Sequence, residues 1–283
     1  MKPRAIISIV MFLIAVLNFS LTGCKKDEDD TSQRAAIDNS TAENAFNDVF
    51  AQVDKAARET SEAGAEKFMQ LDSGGCATVT ITPFDTFTFP KTLTIDFGSS
   101  NCLCTDGKYR RGQITATLSG KYRDEGTVVT VTLQDYYVND NHVQGTKTIT
   151  NLGHIGTYGS GGNLKFSVVV SDASVTTPDG IISWNSTRTR EWIEGEDTHW
   201  PNWQDDVYLI EGSADGTDKE GNPFNVTITS ALRVALDCKW IESGTLDVTP
   251  YDKPVRSVDF GGGDCDANAT VTINGVTYSF TMP

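Results

Sequence analysis

The sequence predicts an α+β fold: one N-terminal amphipathic helix packed on a large, curved antiparallel sheet, open in the manner of a half-barrel. Three observations predict it. Apolar residues recur every three to four positions in one stretch near residue 50, and after about residue 75 the period becomes two. Hairpin-turn signals separate the alternating runs. No strand–helix–strand alternation accompanies them, so a nucleotide-binding α/β fold is not expected. A β-sandwich of two related units is the alternative, because two stretches of the chain are alike.

The 283-residue chain divides into a signal over 1–23, an acidic tether over 24–40 and a helix-plus-β domain over 41–283. Met1-Lys2-Pro3-Arg4 is basic, and Ala5 to Leu17 is apolar except for Ser8. That stretch is too short to span a bilayer and reads as an export signal. Without Lys2 and Arg4 the mature chain has 21 basic against 38 acidic residues, a net charge of −17. Such a balance argues against nucleic acid, whose phosphates require a basic face. The apolar share of 38% is sufficient for a packed core and excludes a disordered or collagen-like chain.

Leu21-Thr22-Gly23-Cys24 follows the apolar stretch directly and resembles the lipobox of bacterial lipoproteins. The resemblance implies cleavage before Cys24 and acylation of Cys24, and three acyl chains anchor a protein firmly where one binds only marginally. Lys25-Lys26-Asp27-Glu28-Asp29-Asp30 is similar to the export signal of Bacteroidota surface lipoproteins. The implied location is the outer membrane, facing outward, with the periplasmic face as the alternative.

Phe46, Val49, Phe50, Val53, Ala56 and Ala57 mark the helix. Ser40 or Thr41 can cap it, Glu43 suits its first turn, and Gly64 can end it. Among the strands, Ala77, Val79 and Ile81 alternate with Thr, as do Val129, Val131 and Leu133. Phe224 to Asp237 alternates over some thirteen residues, long for a strand. Asp124-Glu125-Gly126, Asn139-Asp140-Asn141, Glu220-Gly221-Asn222 and Asn274-Gly275 are hairpin turns. Eleven to thirteen sequential strands are expected. The order of elements is similar to the outer-membrane lipoprotein-localisation proteins, in architecture only.

The internal likeness joins 76–119 to 238–282. Ile81-Thr82-Pro83-Phe84-Asp85 and Ile95-Asp96-Phe97-Gly98 lead to Cys102. Val248-Thr249-Pro250-Tyr251-Asp252 and Val258-Asp259-Phe260-Gly261 lead to Cys265. Cys76 precedes the first set and Cys238 the second at nearly equal spacing, which suggests the pairs Cys76–Cys102 and Cys238–Cys265. Cys104 has no counterpart and is the candidate unbridged thiol. A Cys102–Cys104 or a Cys76–Cys104 bridge is the alternative. Cys102-Leu103-Cys104 lacks the gap of a zinc knuckle, and no His stands at ligand spacing, so no metal site is expected.

No catalytic residues and no cofactor are identifiable. His142, His154 and His199 are scattered, and Tyr158-Gly159-Ser160-Gly161-Gly162 lacks the first Gly of a nucleophile elbow. Asp215, Asp218, Glu220 and Asn222 do not complete a calcium loop. The unusual segment is 181–208. Trp184, Arg188, Arg190 and Trp192 share one strand face, and Trp200 and Trp203 follow in a loop. Trp stacks on sugars and Arg forks onto carboxylates or phosphates, so these six are the candidate ligand-binding residues. Cation–π packing at one end of a sheet is the other reading. Three classes stand: a surface binding or structural module for glycans or proteins, a carrier of a lipid or other apolar ligand, and a hydrolase.

Overall fold

The computed structural model describes residues 30–62, 69–70, 75–85, 87–155, 162–198 and 202–282. Helix α1 spans Arg34–Glu62. The strands that follow are β1 (Met69–Gln70), β2 (Thr78–Thr82), β3 (Lys91–Asp96), β4 (Cys102–Leu103), β5 (Tyr109–Leu118), β6 (Val128–Val138), β7 (Asn141–Ile155) and β8 (Asn163–Thr177). Then come β9 (Gly180–Glu194), β10 (Val207–Thr217), β11 (Pro223–Ala235), β12 (Ser243–Pro250), β13 (Arg256–Gly262), β14 (Asn268–Ile273) and β15 (Val276–Thr281). The described residues thus form one helix and one open antiparallel sheet, an α+β arrangement. The strands lie in sequence order, except that β4 pairs beside β3 on β5. Fifteen strands exceed the expected number because β1 and β4 are two-residue pairings that no periodicity can show.

The four expected turns are all present between paired strands. In two of them the chemistry is explicit. Asn139 and Asp140 have φ of 50° and 63°, and Asn274 and Gly275 have 52° and 80°. Two consecutive left-handed residues match the twist of the flanking strands, and Asn, Asp and Gly reach that conformation at least cost. The long run ending near Asp237 is β11, thirteen residues of which Phe224, Val226, Leu232 and Val234 face the core.

Helix α1 begins at Arg34, inside the stretch expected to be a tether. Its start is stabilised locally: Ser32 Oγ accepts from the Arg34 N–H at 3.4 Å, and Asp30 Oδ1 from the Ser32 N–H at 3.0 Å. Thr41 does not cap the helix; its hydroxyl donates to the Ile37 carbonyl at 2.9 Å. Gly64 lies outside the described residues. The segment 34–40 is helical because Ala35 and Ala36 are buried in the core and Asp38 and Asn39 are paired with the β10–β11 turn and with β9. Asp38 accepts from the Lys219 N–H, and Asn39 from the Trp184 indole, both at 3.0 Å.

The apolar stripe of α1 is buried against β3, β5, β8, β9 and β12. Phe46 stacks on Trp184 at 5.4 Å, and Phe50 meets Phe166 and Tyr208 edge-on. No described helix is long and apolar enough to cross a membrane.

The two similar stretches occupy β2–β5 and β12–β15. Cys76–Cys102 and Cys238–Cys265 are bonded, with Cα separations of 5.5 and 5.7 Å. Their backbones agree in detail. Asp96 Oδ1 accepts from Gly98 N–H at 2.8 Å, and Asp259 Oδ1 from Gly261 N–H at 2.8 Å. Both glycines have positive φ, 76° and 98°. Both preceding phenylalanines are buried. Because β2 and β12 stand nine antiparallel steps apart in strand order, the two hairpins run in opposite directions. Cys104 belongs to neither bridge and is buried.

Each bridge closes a loop of 26 or 27 residues, so the chain-entropy model assigns it about 3.5 kcal/mol. Replacing Cys76 and Cys102 together with Ala is expected to lower the unfolding free energy by roughly that amount in a urea titration.

Candidate functional site

Strand β9 places Ile182, Trp184, Ser186, Arg188, Arg190 and Trp192 on one face, as its alternation requires. All six are buried, and the surface covering them is α1. Arg188 forks onto Glu43 at 2.6 and 3.4 Å. The Arg190 guanidinium lies 3.9 Å from the Phe50 ring centre and 5.2 Å from that of Tyr208. Trp192 stacks on Tyr208 and receives Arg58 and Arg123 at 4.7 and 4.8 Å. Trp184, Arg188, Arg190 and Trp192, candidate ligand-binding residues by sequence, do meet, but as an internal helix–sheet contact of the cation–π kind, the other reading of the segment. The alternation shows which residues share a face and not what lies on it. Trp200 is outside the described residues. Trp203 begins a short 3-10 turn, Trp203–Asp205, and its side chain is likewise outside them.

A ladder of buried acids along α1 meets donors from the sheet. Lys219 Nζ is 3.3 Å from Asp38. Asp48 receives Arg110 at 2.5 and 3.1 Å, Lys108 at 3.1 Å and the Tyr136 hydroxyl at 2.6 Å. Burial disfavours the charged form of Asp48, yet Arg110 and Lys108 hold its carboxyl well below the usual range. Asp54 accepts from the Tyr122 hydroxyl at 2.6 Å. Beyond it Arg58 pairs with Asp206 and lies 3.9 Å from Asp54. One guanidinium thus stands between two buried carboxylates. Burial and the neighbouring Asp54 push the Asp206 carboxyl up to about 8, despite Arg58, and burial raises Asp54 as well.

On its other side α1 floors a recess of about 380 Å³. Asn44, Asn47, Ala51, Gln52 and Lys55 supply the floor. One wall is the β4–β5 turn with Asp106 and Lys108; the other is the β11–β12 loop with Asp237, Lys239 and Trp240. Cys238 and Cys265 close the second wall, so a disulfide sets its position. The Lys239 ammonium lies 4.2 Å from the Trp240 ring centre. Around this recess Lys55, Lys108, Arg110 and Lys239 outnumber Asp48, Asp106 and Asp237, in a chain whose acids exceed its bases 38 to 23. The sequence reading missed these residues. The available signals were the polar residues 44, 47, 52 and 55 opposite the apolar stripe, and a Trp two residues after a paired Cys.

Comparison with protein-family models, curated proteins and solved structures gives no match to this chain.

Two pH dependences follow, with opposite signs. Asp48 is depressed in the fold, so its contribution is full above the unfolded value of about 3.9 and is lost as pH falls. Asp48→Asn is expected to cost about 3 kcal/mol at pH 7, a difference from the parent that shrinks in denaturation curves taken toward pH 3. Asp206 is raised, so its contribution is full below the unfolded value and is lost as pH climbs through about 8. Asp206 should therefore lower the thermal midpoint progressively between about pH 4 and about pH 8, with the decline levelling off above 8, and Asp206→Asn should flatten it.

Proposed function

We propose that this chain is a lipid-anchored module of the bacterial outer membrane, exposed at the cell surface, which binds a glycan with acidic groups in the recess over α1. In this reading Cys24 carries the anchor, and the stretch after it holds the domain off the membrane. The observation that supports the site is the recess itself. It combines amide side chains, unlike charges and one Trp, the donors, acceptors and ring face that sugars engage. Its slight basic excess within an acidic protein favours an anionic ligand and gives that ligand a local attraction.

The finer architecture belongs to the same proposal: the sheet is an open half-barrel with α1 lying in its concavity. Contacts from α1 to strands as distant as β3 and β12 support it. So does the meeting of the β4–β5 turn and the β11–β12 loop over one recess. A carrier of an apolar ligand would need that concavity empty. Here the helix fills it with side chains that are paired through buried charges.

The test is a glycan array probed with the protein, followed by titration of the best hits with Trp fluorescence. Uronate- or sulfate-bearing glycans should bind. Trp240→Ala should weaken binding about tenfold, as loss of a stacking contact of about 1.4 kcal/mol implies, with some fall in the thermal midpoint because the ring also packs on the core. Uniform failure of acidic glycans, or equal binding by the Trp240→Ala protein, would remove the recess as the site.

A further inference from the structure

Between α1 and the middle of the sheet lies a second, narrow space of about 10 Å³, separate from the recess above. Its surroundings are unusual in having donors without acceptors. Asn47 Nδ2, Ser186 Oγ, Arg188 Nη1 and all three guanidinium nitrogens of Arg190 are buried there with no hydrogen-bond partner. Ser186, Arg188 and Arg190 are each at most 4% exposed. Strand register explains why they converge. Lys147, Val170 and Ser186 stand in one cross-strand row of β7, β8 and β9, with Val168 and Arg188 in the next and Phe166 and Arg190 in the one after. The intervals are even, so all of them face α1.

The acceptors that line this space are already used; Asp54, which acts on Arg190 from outside it, makes no hydrogen bond through Oδ2. Both Glu43 oxygens take Arg188, and the Phe46 carbonyl takes Lys147 Nζ at 2.6 Å. Asp48 is held by Arg110, Lys108 and Tyr136, and Asp54 by Tyr122 beside Arg58. Among the residues lining this space Lys147, Arg188 and Arg190 meet a single carboxylate, Glu43, while Asp48 and Asp54 act on Lys147 and Arg190 from outside it. An unpaired buried donor costs about 1–3 kcal/mol, and more when it is charged. Several around one point call for a common acceptor that also carries negative charge.

We propose that this space is a binding site for one monatomic anion, a halide such as chloride, held by Asn47, Ser186, Arg188 and Arg190. The volume admits a single water-sized body and excludes phosphate, sulfate or a carboxylate ligand. A water molecule offers two lone pairs and no charge, whereas a halide accepts from every direction and offsets the surplus cation. Burial, with Arg190 adding to it, also pushes the Lys147 ammonium well below its ordinary range, the response expected where positive charge is in excess. The role is structural: the ion completes the polar layer between helix and sheet.

Crystals of the protein grown in sodium bromide test this by anomalous scattering. The expected result is one bromide peak among Asn47, Ser186, Arg188 and Arg190. Density there without anomalous signal means a water only and overturns the proposal, as does no density. In solution, at constant pH and ionic strength, chloride replacing gluconate from about 1 mM to about 100 mM should raise the thermal midpoint in proportion to the logarithm of chloride. Arg190→Met should lose that dependence. Ser186→Ala, which keeps the Glu43–Arg188 pair and so remains folded, should weaken it. A midpoint equally insensitive to chloride in all three proteins overturns the proposal.

Discussion

Asp38, Glu43, Asp48 and Asp54 are buried along α1, and the sheet answers each with a cation or hydroxyl from a different strand or turn. An unpaired carboxylate in that position would cost several kcal/mol, far more than one surface ion pair returns. The pairing therefore fixes the helix in azimuth and along its axis at the same time. The apolar stripe alone would tolerate sliding by a turn. The polar ladder does not, because a slip of one turn would move each acid away from its donor.

That ladder also explains which parts of the molecule the sequence discloses. The helix stripe at Phe46, Val49, Phe50 and Val53, the alternation of β11 and the Asn-Gly turn are local patterns, and the structure keeps them. The paired cysteines were legible because a motif repeats at constant distance, and the bridges follow that repeat. The helix start was not legible. Asp38, Asn39 and Ser40 read as solvated residues, since only a partner in another strand makes a buried acid tolerable. Trp184 and Arg188 fail in the same way: period two places them on one face, and no sequence pattern states that α1 lies on it. The recess is less legible still. It needs the β4–β5 turn and the β11–β12 loop to meet, a contact between residues more than a hundred positions apart.

The two disulfides lie in the outer parts of the strand order. A long open sheet is weakest at its edges, where strands have one neighbour and little covering. Strand β15, whose side chains are mostly exposed, illustrates the problem. The bridges tie the segment before β2 to β4 and the loop before β12 to the loop after β13, stiffening those margins beside the strands that α1 also covers. The same staple positions Trp240, so an edge-stabilising device also shapes a surface recess.

Charge is distributed with the same economy. Among the described residues seven acidic and seven basic side chains are buried, so the interior is formally neutral and the whole excess of acids lies toward solvent. A neutral interior is not a uniformly neutral one. Around Arg58 two carboxylates share one guanidinium, and around Glu43 three cations share one carboxylate. These two zones lie at different levels of the same helix, with Arg190 between them acting on both Asp54 and Glu43. A retained proton can relieve the first, since it removes a negative charge. The second needs negative charge or loss of a proton. In the anion proposal the buried layer is thus tuned by protons at one end and by available anions in the middle, apart from the recess on the opposite side of α1.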